Sequence, residues 1–182
     1  MNTMNTKVMR GRAWPLAEYA EVARRFLVIL AVGFWLGGFT FYAGVVIHTG
    51  HRVFGSVRET GFLTRQVTGW LNVSGVAALT ILFWNALVAR KCEATFLKLG
   101  LWSTWALMAA VQVALCALHP VLDRMLDPDV HQILEHGRFD TVHLVYINLS
   151  TVQWGAGLLH TLLALVVWKF SDGLLKIGSE TQ

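Results

Sequence analysis

The first apolar stretch of the chain is FLVILAVGFWLGGFTFYAGVVI, residues 26–47, which contains no charged residue. A helix of about 20 apolar residues spans the roughly 30 Å hydrocarbon core of a bilayer. Three further uncharged apolar stretches follow, at residues 70–89, 99–118 and 142–168. We therefore predict an all-α fold, a polytopic membrane protein built as an up-down bundle of four transmembrane helices.

The composition agrees with a small membrane protein. Hydrophobic residues make up 55% of the 182-residue chain and charged residues only 14%, whereas soluble domains average about 25% charged residues. Residues 1–182 are expected to form a single membrane domain that is in contact with the lipid bilayer. The first apolar stretch is longer than the apolar region of a secretory signal, so we interpret it as an uncleaved span.

The basic residues predict the orientation of the bundle. Ten lie in the N-terminal tail (residues 1–25), the loop after the second span and the C-terminus, against five on the other side. This bias predicts that both termini are cytoplasmic, in the inner (plasma) membrane if the host is a bacterium. The cytoplasmic basic residues explain the sequence pI near 9.4 without a nucleic-acid partner, because they can contact anionic lipid head groups.

A stripe of small residues follows one face of the first span, at Gly33, Gly37, Thr40 and Gly44. Small residues let two membrane helices approach closely. We expect the stripe to pack against another helix of the same bundle. A homo-oligomer or a second membrane protein is the alternative partner.

The spans contain few polar groups and no proline. We therefore expect mostly unbroken helices, with no buried Asp, Glu, Lys or Arg in the spans to serve as an ion relay. Arg24 and Arg25 precede the first span, on the polar face of a short amphipathic stretch. Intramembrane polar side chains generally face the bundle interior and pair with one another. A structural hydrogen-bond network is thus predicted within the set Asn85, Gln112, Gln153 and His160.

The loop before the last span carries helix signals. Asp127 and Pro128 are typical of a helix start, and Gly137 of a helix end. We therefore predict a short helix near residues 128–136.

Six of the seven histidines fall on the predicted outer side: His48, His51, His119, His131, His136 and His143. The ends of spans one and three and the start of span four should meet there, which would bring three of them together. Imidazole and carboxylate groups bind zinc or copper. The candidate metal ligands are His48, His119 and His143, supported by His51 and Asp123. Haem held by His48 and His119 is a less favoured alternative.

Three segments of the chain carry a family resemblance: GFWLGGFTFYAGVVIHTGHRVFG (33–55), GFLTRQVTGWLN (61–72) and FDTVHLVYINLSTVQW (139–154). They resemble a bacterial four-span membrane-protein family of unknown function, similar to the eukaryotic transmembrane-protein-205-like group. The resemblance implies a compact four-helix membrane domain and supplies no catalytic residues.

The sequence contains no GxSxG motif, P-loop or dinucleotide-binding motif, which are the motifs of nucleophilic and nucleotide-dependent enzymes. This favours a protein without catalytic activity. Three functions stay open. They are a protein that binds a metal or another ligand at the outer side, a structural or scaffold subunit of a membrane complex, and a haem-binding redox protein.

Overall fold

A computed structural model of the chain describes residues 16–89, 95–127, 132–133 and 136–180. Within these ranges the elements are α1 (Leu16–Phe41), a π-helical turn (Tyr42–Val46), α2 (Ile47–Phe54), α3 (Val57–Val88), α4 (Thr95–Arg124), β1 (Leu126–Asp127), β2 (Gln132–Ile133) and α5 (His136–Glu180). The π-helical turn joins α1 and α2 without a break, so the described chain has four long helical rods. All four are long and apolar enough to cross a membrane, as predicted.

The helices extend beyond the predicted spans because the polar residues at their ends continue the helical backbone. The last helix, for example, begins at His136, six residues before the expected start of the span. The first turn of α3 is capped by Ser56, whose Oγ accepts the backbone N–H of Glu59 at 3.4 Å. A helix outside the hydrocarbon core needs such caps or water for its terminal N–H and C=O groups.

The turn between α2 and α3 depends on two glycines. Gly55 has a φ of +62°, a left-handed conformation that glycine adopts without steric cost. Its N–H donates to His51 O at 3.1 Å and closes α2. One turn earlier, Gly50 packs against Thr60, and a Cβ at position 50 would lie 2.8 Å from Thr60 Cγ2. Only glycine therefore allows α2 and α3 to approach this closely.

One expectation about regular helices is wrong. The first span stays continuous but contains a π-helical turn at Tyr42–Val46, a local feature that a scan for proline does not detect. The loop helix near residues 128–136 is not formed at Gln132–Ile133, where a two-residue strand pairs antiparallel with Leu126–Asp127. The residues used as helix signals here are also common in turns, so these signals do not by themselves require a helix. Residues 128–131 and 134–135 lie outside the described residues.

The apolar core is concentrated in the half of the bundle nearest the chain termini. Val28, Leu82, Leu101, Met108 and Val167 are each at most 2% exposed there, and all four helical rods contribute. We call this the apolar cluster. A smaller cluster of Val111, Leu115 and Tyr146 joins α4 to α5 in the other half.

The outward surface of the helices is apolar as well. Phe34, Trp70 and Val113 are each at least 70% exposed. Exposed apolar residues at this density are expected where lipid chains replace water as the solvent. The four helices therefore mark an integral membrane protein in contact with the bilayer.

Candidate functional site

A polar cluster lies between α3 and α4 at the end of the bundle away from the chain termini, which we call the far end. Arg65 Nε is 2.7 Å from Asp123 Oδ1, and Asp123 Oδ2 is 3.4 Å from His119 Nδ1. The other ring nitrogen, His119 Nε2, lies 3.2 Å from Arg65 O and 3.4 Å from Thr68 Oγ1. These four residues, Arg65, Thr68, His119 and Asp123, form the far-end cluster.

Helical spacing brings the far-end cluster together. His119 and Asp123 are four residues apart on α4, and Arg65 and Thr68 are three apart on α3, so each pair shares one helix face. A Cβ at Gly69 would lie 3.7 Å from His119 Nε2, which is ordinary contact distance. The side chains of Arg65, Asp123 and His119 are 32%, 25% and 20% exposed. The cluster is therefore partly open to the far end.

The predicted three-histidine metal site is not formed. Among the residues that the structure describes, no three His, Cys, Asp or Glu side chains lie close enough to hold a metal ion. His48, His51 and His143 are exposed, and His143 stacks on Phe139 with the rings 5.5 Å apart. The topology brings the helix ends together, but it does not determine which side of each helix a histidine faces.

The other histidine predictions have mixed outcomes. His131 lies outside the described residues, and only the backbone of His136 is described. His119 has both ring nitrogens engaged with protein atoms. Zinc, copper or haem iron would have to displace one of these contacts to bind that ring.

A second polar group lies one to two helical turns further into the bundle. Gln153 Nε2 donates to Gln112 Oε1 at 2.7 Å, and Gln112 Nε2 lies 3.3 Å from both the backbone and the side-chain oxygen of Asn72. Asn72 Nδ2 donates to the Tyr146 hydroxyl at 3.0 Å. We call Asn72, Gln112, Tyr146 and Gln153 the amide seam. It links α3, α4 and α5.

The two remaining members of the predicted network have other partners. His160 is fully buried, and its Nδ1 lies 2.8 Å from Thr104 Oγ1. The Thr104 hydroxyl also lies within 2.8 Å of Gly100 O, to which it donates. The Thr104 oxygen therefore accepts the His160 Nδ1–H. Asn85 is fully buried too, and its Oδ1 accepts from Trp168 Nε1 at 3.2 Å and from Arg24 Nη1.

Arg24 contradicts the expectation that the charged residues before the first span face away from the bundle. It is 5% exposed, bonds Asn85 and pairs with Glu21. Its guanidinium carbon lies 5.9 Å from the Trp168 ring centroid. A buried arginine is tolerable here because a carboxylate, an amide oxygen and an aromatic face surround it.

The small-residue stripe has open surroundings. A Cβ at Gly33, Gly37 or Gly44 would meet nothing within 4 Å apart from its own helix. Thr40 Oγ1 donates to Leu36 O at 2.8 Å and accepts Trp154 Nε1 at 3.1 Å. Gly33 and Gly37 line a groove of about 570 Å³ between α1 and α3, whose walls include Phe34 and Trp70.

Sequence reasoning missed half of the far-end cluster and half of the amide seam. Arg65, Thr68 and Asn72 recur at spacings of three and four on α3, which a search for one polar face of that helix would have found. Tyr146 was not recognised because a tyrosine near a span end usually marks the membrane interface.

The fold and the site together define a four-helix integral membrane protein with a polar interior in its far half. Comparison with models of known protein families, with curated proteins and with solved structures finds no match.

Proposed function

We propose that the protein binds a small polar ligand at the far-end cluster. The observation that carries this proposal is the partly exposed Arg65–Asp123 pair, bonded to His119 and located directly beyond the amide seam. The cluster lies just beyond the apolar stretches 70–89 and 99–118, and burying part of an ion pair between two helices there costs desolvation free energy. A bundle that needed only packing could fill these positions with apolar residues.

The orientation of the helix bundle across the membrane is part of this proposal. The excess of basic residues near both termini favours cytoplasmic termini, so the far end faces outward. In a bacterium this is the periplasmic side of the inner membrane. The ligand would then reach the site from outside the cell.

The charges of the cluster indicate the class of ligand. Arg65 supplies one positive charge and Asp123 one negative charge, and the two groups pair at 2.7 Å. A zwitterion could replace the internal pair without leaving either charge alone, with its carboxylate on Arg65 and its ammonium group on Asp123. A dianion or a dication would leave one of these two charges unpaired, which is unfavourable in a partly buried site.

The test is thermal unfolding of the purified protein, followed by the fluorescence of its eight tryptophans. The probes are glycine and glutamine as zwitterions, succinate as a dianion and putrescine as a dication. A ligand at 100 times its Kd stabilises the folded state by about 2.7 kcal/mol. We expect a zwitterion to raise the melting temperature, and succinate and putrescine to leave it unchanged.

Matched variants test whether the increase in melting temperature arises from binding at the far-end cluster. Arg65→Gln and Asp123→Asn should abolish the stabilisation. Arg52→Gln and Asp140→Asn, which change exposed residues at the same end, should retain it. Stabilisation by no zwitterion, or equal stabilisation in all four variants, would contradict the proposal.

A second candidate function is that of a structural subunit which associates through α1. It is favoured by the open space beside Gly33, Gly37 and Gly44, since glycines on a membrane helix permit close contact with a second helix. The partner would be another copy of the chain or a different membrane protein.

The oligomeric state tests this second candidate. Gly37→Leu should convert a purified oligomer to a monomer, as measured by light scattering with correction for detergent. Gly155→Leu is the matched control, because Gly155 on α5 is equally open and lies off the stripe. A wild-type monomer that also co-purifies with no other chain from its native membrane would refute the subunit function.

A further inference from the structure

Ser150 has a buried hydroxyl group whose surroundings are unusual. It is 5% exposed, and its Oγ has no hydrogen-bond partner in the part of the chain that the structure describes. The neighbouring Thr151 donates to Ile147 O at 3.0 Å, and Thr161 donates to Gly157 O at 2.7 Å. Bonding to the carbonyl four residues earlier is the usual solution for such hydroxyls in membrane helices. Ser150 does not adopt it.

The position of Ser150 places this hydroxyl within the amide seam. It lies four residues after Tyr146 and three before Gln153 on α5, so the three side chains share one helix face. Tyr146 bonds Asn72, and Gln153 bonds Gln112. Ser150 therefore lies between the two hydrogen-bonded pairs and bonds neither.

A buried polar group without a protein partner generally bonds ordered water. A buried water needs two to four polar partners, and the seam offers hydroxyl and amide groups from three helices. Asn72 of the seam lies one helical turn from Thr68 of the partly exposed far-end cluster on α3, so the seam adjoins the far end of the bundle.

The opposite half of the bundle is closed to water by packing. A Cβ at Gly157, one turn beyond Gln153, would lie 3.0 Å from Leu36 Cδ2. Further along, Met108, Leu82 and Ala164 are at most 1% exposed. These side chains belong to the apolar cluster. Asn85 Nδ2 and His160 Nε2 in this half also lack a partner among the described residues, but the packing around them leaves water access only through local opening.

We propose that the far half of the bundle is a hydrated pocket, in which water binds the Ser150 hydroxyl and the amide seam and is stopped by the apolar cluster. The ligand of this site is water itself. The inference does not depend on the zwitterion proposed for the far-end cluster. It implies that a polar solute entering the far half of the bundle would contact water-filled space around the amide seam.

Exchange of a thiol proton with D₂O tests the proposal, because it requires contact with water and no bulky reagent. Ser150→Cys and Ala164→Cys are prepared in a chain that carries Cys92→Ser and Cys116→Ser. Each full-length variant is reconstituted in lipid and transferred to D₂O. The conversion of S–H to S–D is followed by infrared spectroscopy.

We expect the thiol at position 150 to exchange promptly. The thiol at position 164 should exchange at least about 100-fold more slowly, because exchange there requires local opening of the packed core. Equal slow rates would overturn the hydrated pocket, and equal fast rates would overturn its closure by the apolar cluster.

The native Cys116 is a second probe if Ser150→Cys fails to fold. Its Sγ lies 3.4 Å from Gln112 Nε2 at the edge of the seam, its side chain is exposed on the surface of α4, and a chain with only Cys92→Ser leaves the seam unchanged. Prompt exchange of this thiol is expected, and slow exchange would contradict a hydrated seam.

Discussion

Replacement of Gly75 by alanine should destabilise the protein, although alanine is the better helix former. The added Cβ would lie 2.9 Å from Trp35 Nε1 and 3.1 Å from Gln112 Cδ, and would overlap Gln112 Oε1. Trp35 is 3% exposed, and Gln112 is held by Gln153 and Asn72. Neither neighbour can therefore move away without loss of packing or hydrogen bonds.

The expected change in the free energy of unfolding is the sum of two opposed effects. Overpacking a well-packed interior costs typically about 1–3 kcal/mol, and Gly→Ala within a helix gains about 0.5–1 kcal/mol. The net loss in the free energy of unfolding should be about 1–2 kcal/mol. The overpacking cost exceeds the gain because the clash involves two immobilised side chains and breaks the centre of the amide seam.

Equilibrium unfolding by SDS titration in mixed micelles, followed by circular dichroism, measures this change. Gly61→Ala is the matched control on the same helix, since a Cβ there would meet nothing within 4 Å. It should be neutral or stabilising by up to about 1 kcal/mol. If Gly75→Ala is as stable as Gly61→Ala, the tight contact among α1, α3 and α4 is refuted.

The same titration checks two further predictions. Asn85→Ala should cost about 2 kcal/mol or more, because it removes an acceptor from a buried charged group and hydrogen bonds to charged groups contribute about 1.5–3 kcal/mol. The exposed Asn148→Ala should stay within about 0.5 kcal/mol of wild type, and equal losses in the two variants would contradict the buried role. Thr104→Val should cost about 1–3 kcal/mol, because it leaves the buried His160 Nδ1–H without its partner. Adding His160→Leu should recover part of that loss, and a double variant as unstable as the sum of the two single variants would argue against direct pairing.

The membrane fold could be predicted from the sequence because its dominant physical requirement is simple. Each span must supply about 20 apolar residues and satisfy its backbone polar groups internally, which leaves few folds other than a helix bundle. The helix ends were less predictable. Hydropathy marks the hydrocarbon boundary, and helices such as α5 continue into water for as long as their backbone groups find partners.

The candidate site was only partly predictable because contact requires the correct face of a helix as well as the correct depth. His119 and Asp123 were identified, since a spacing of four residues brings them together on any helix. Their partners on α3, Arg65 and Thr68, depend on the rotation of that helix about its axis. His48 has a suitable depth but lies on an exposed side of α2. Periodicity within one helix does not supply this relative rotation.

Arg24 shows how local reasoning fails when the partner of a charge is distant in sequence. Within its own segment it belongs to a polar face, but Asn85 and Trp168 are 61 and 144 residues away along the chain. The amide oxygen, the Glu21 carboxylate and the indole face together offset much of the cost of burying its charge.

The polar groups therefore serve different purposes in the two halves of the bundle. Near the termini, Arg24, Asn85 and Trp168 join α1, α3 and α5 around one acceptor, next to the densely packed apolar cluster. Both halves hold buried polar atoms without a partner among the described residues, Ser150 Oγ in the far half and Asn85 Nδ2 and His160 Nε2 near the termini. The far half differs because it ends in a partly exposed polar cluster. Since local opening is easiest where apolar contacts are few, ligand entry and water exchange should be confined to the far half while the half near the termini holds the helices together.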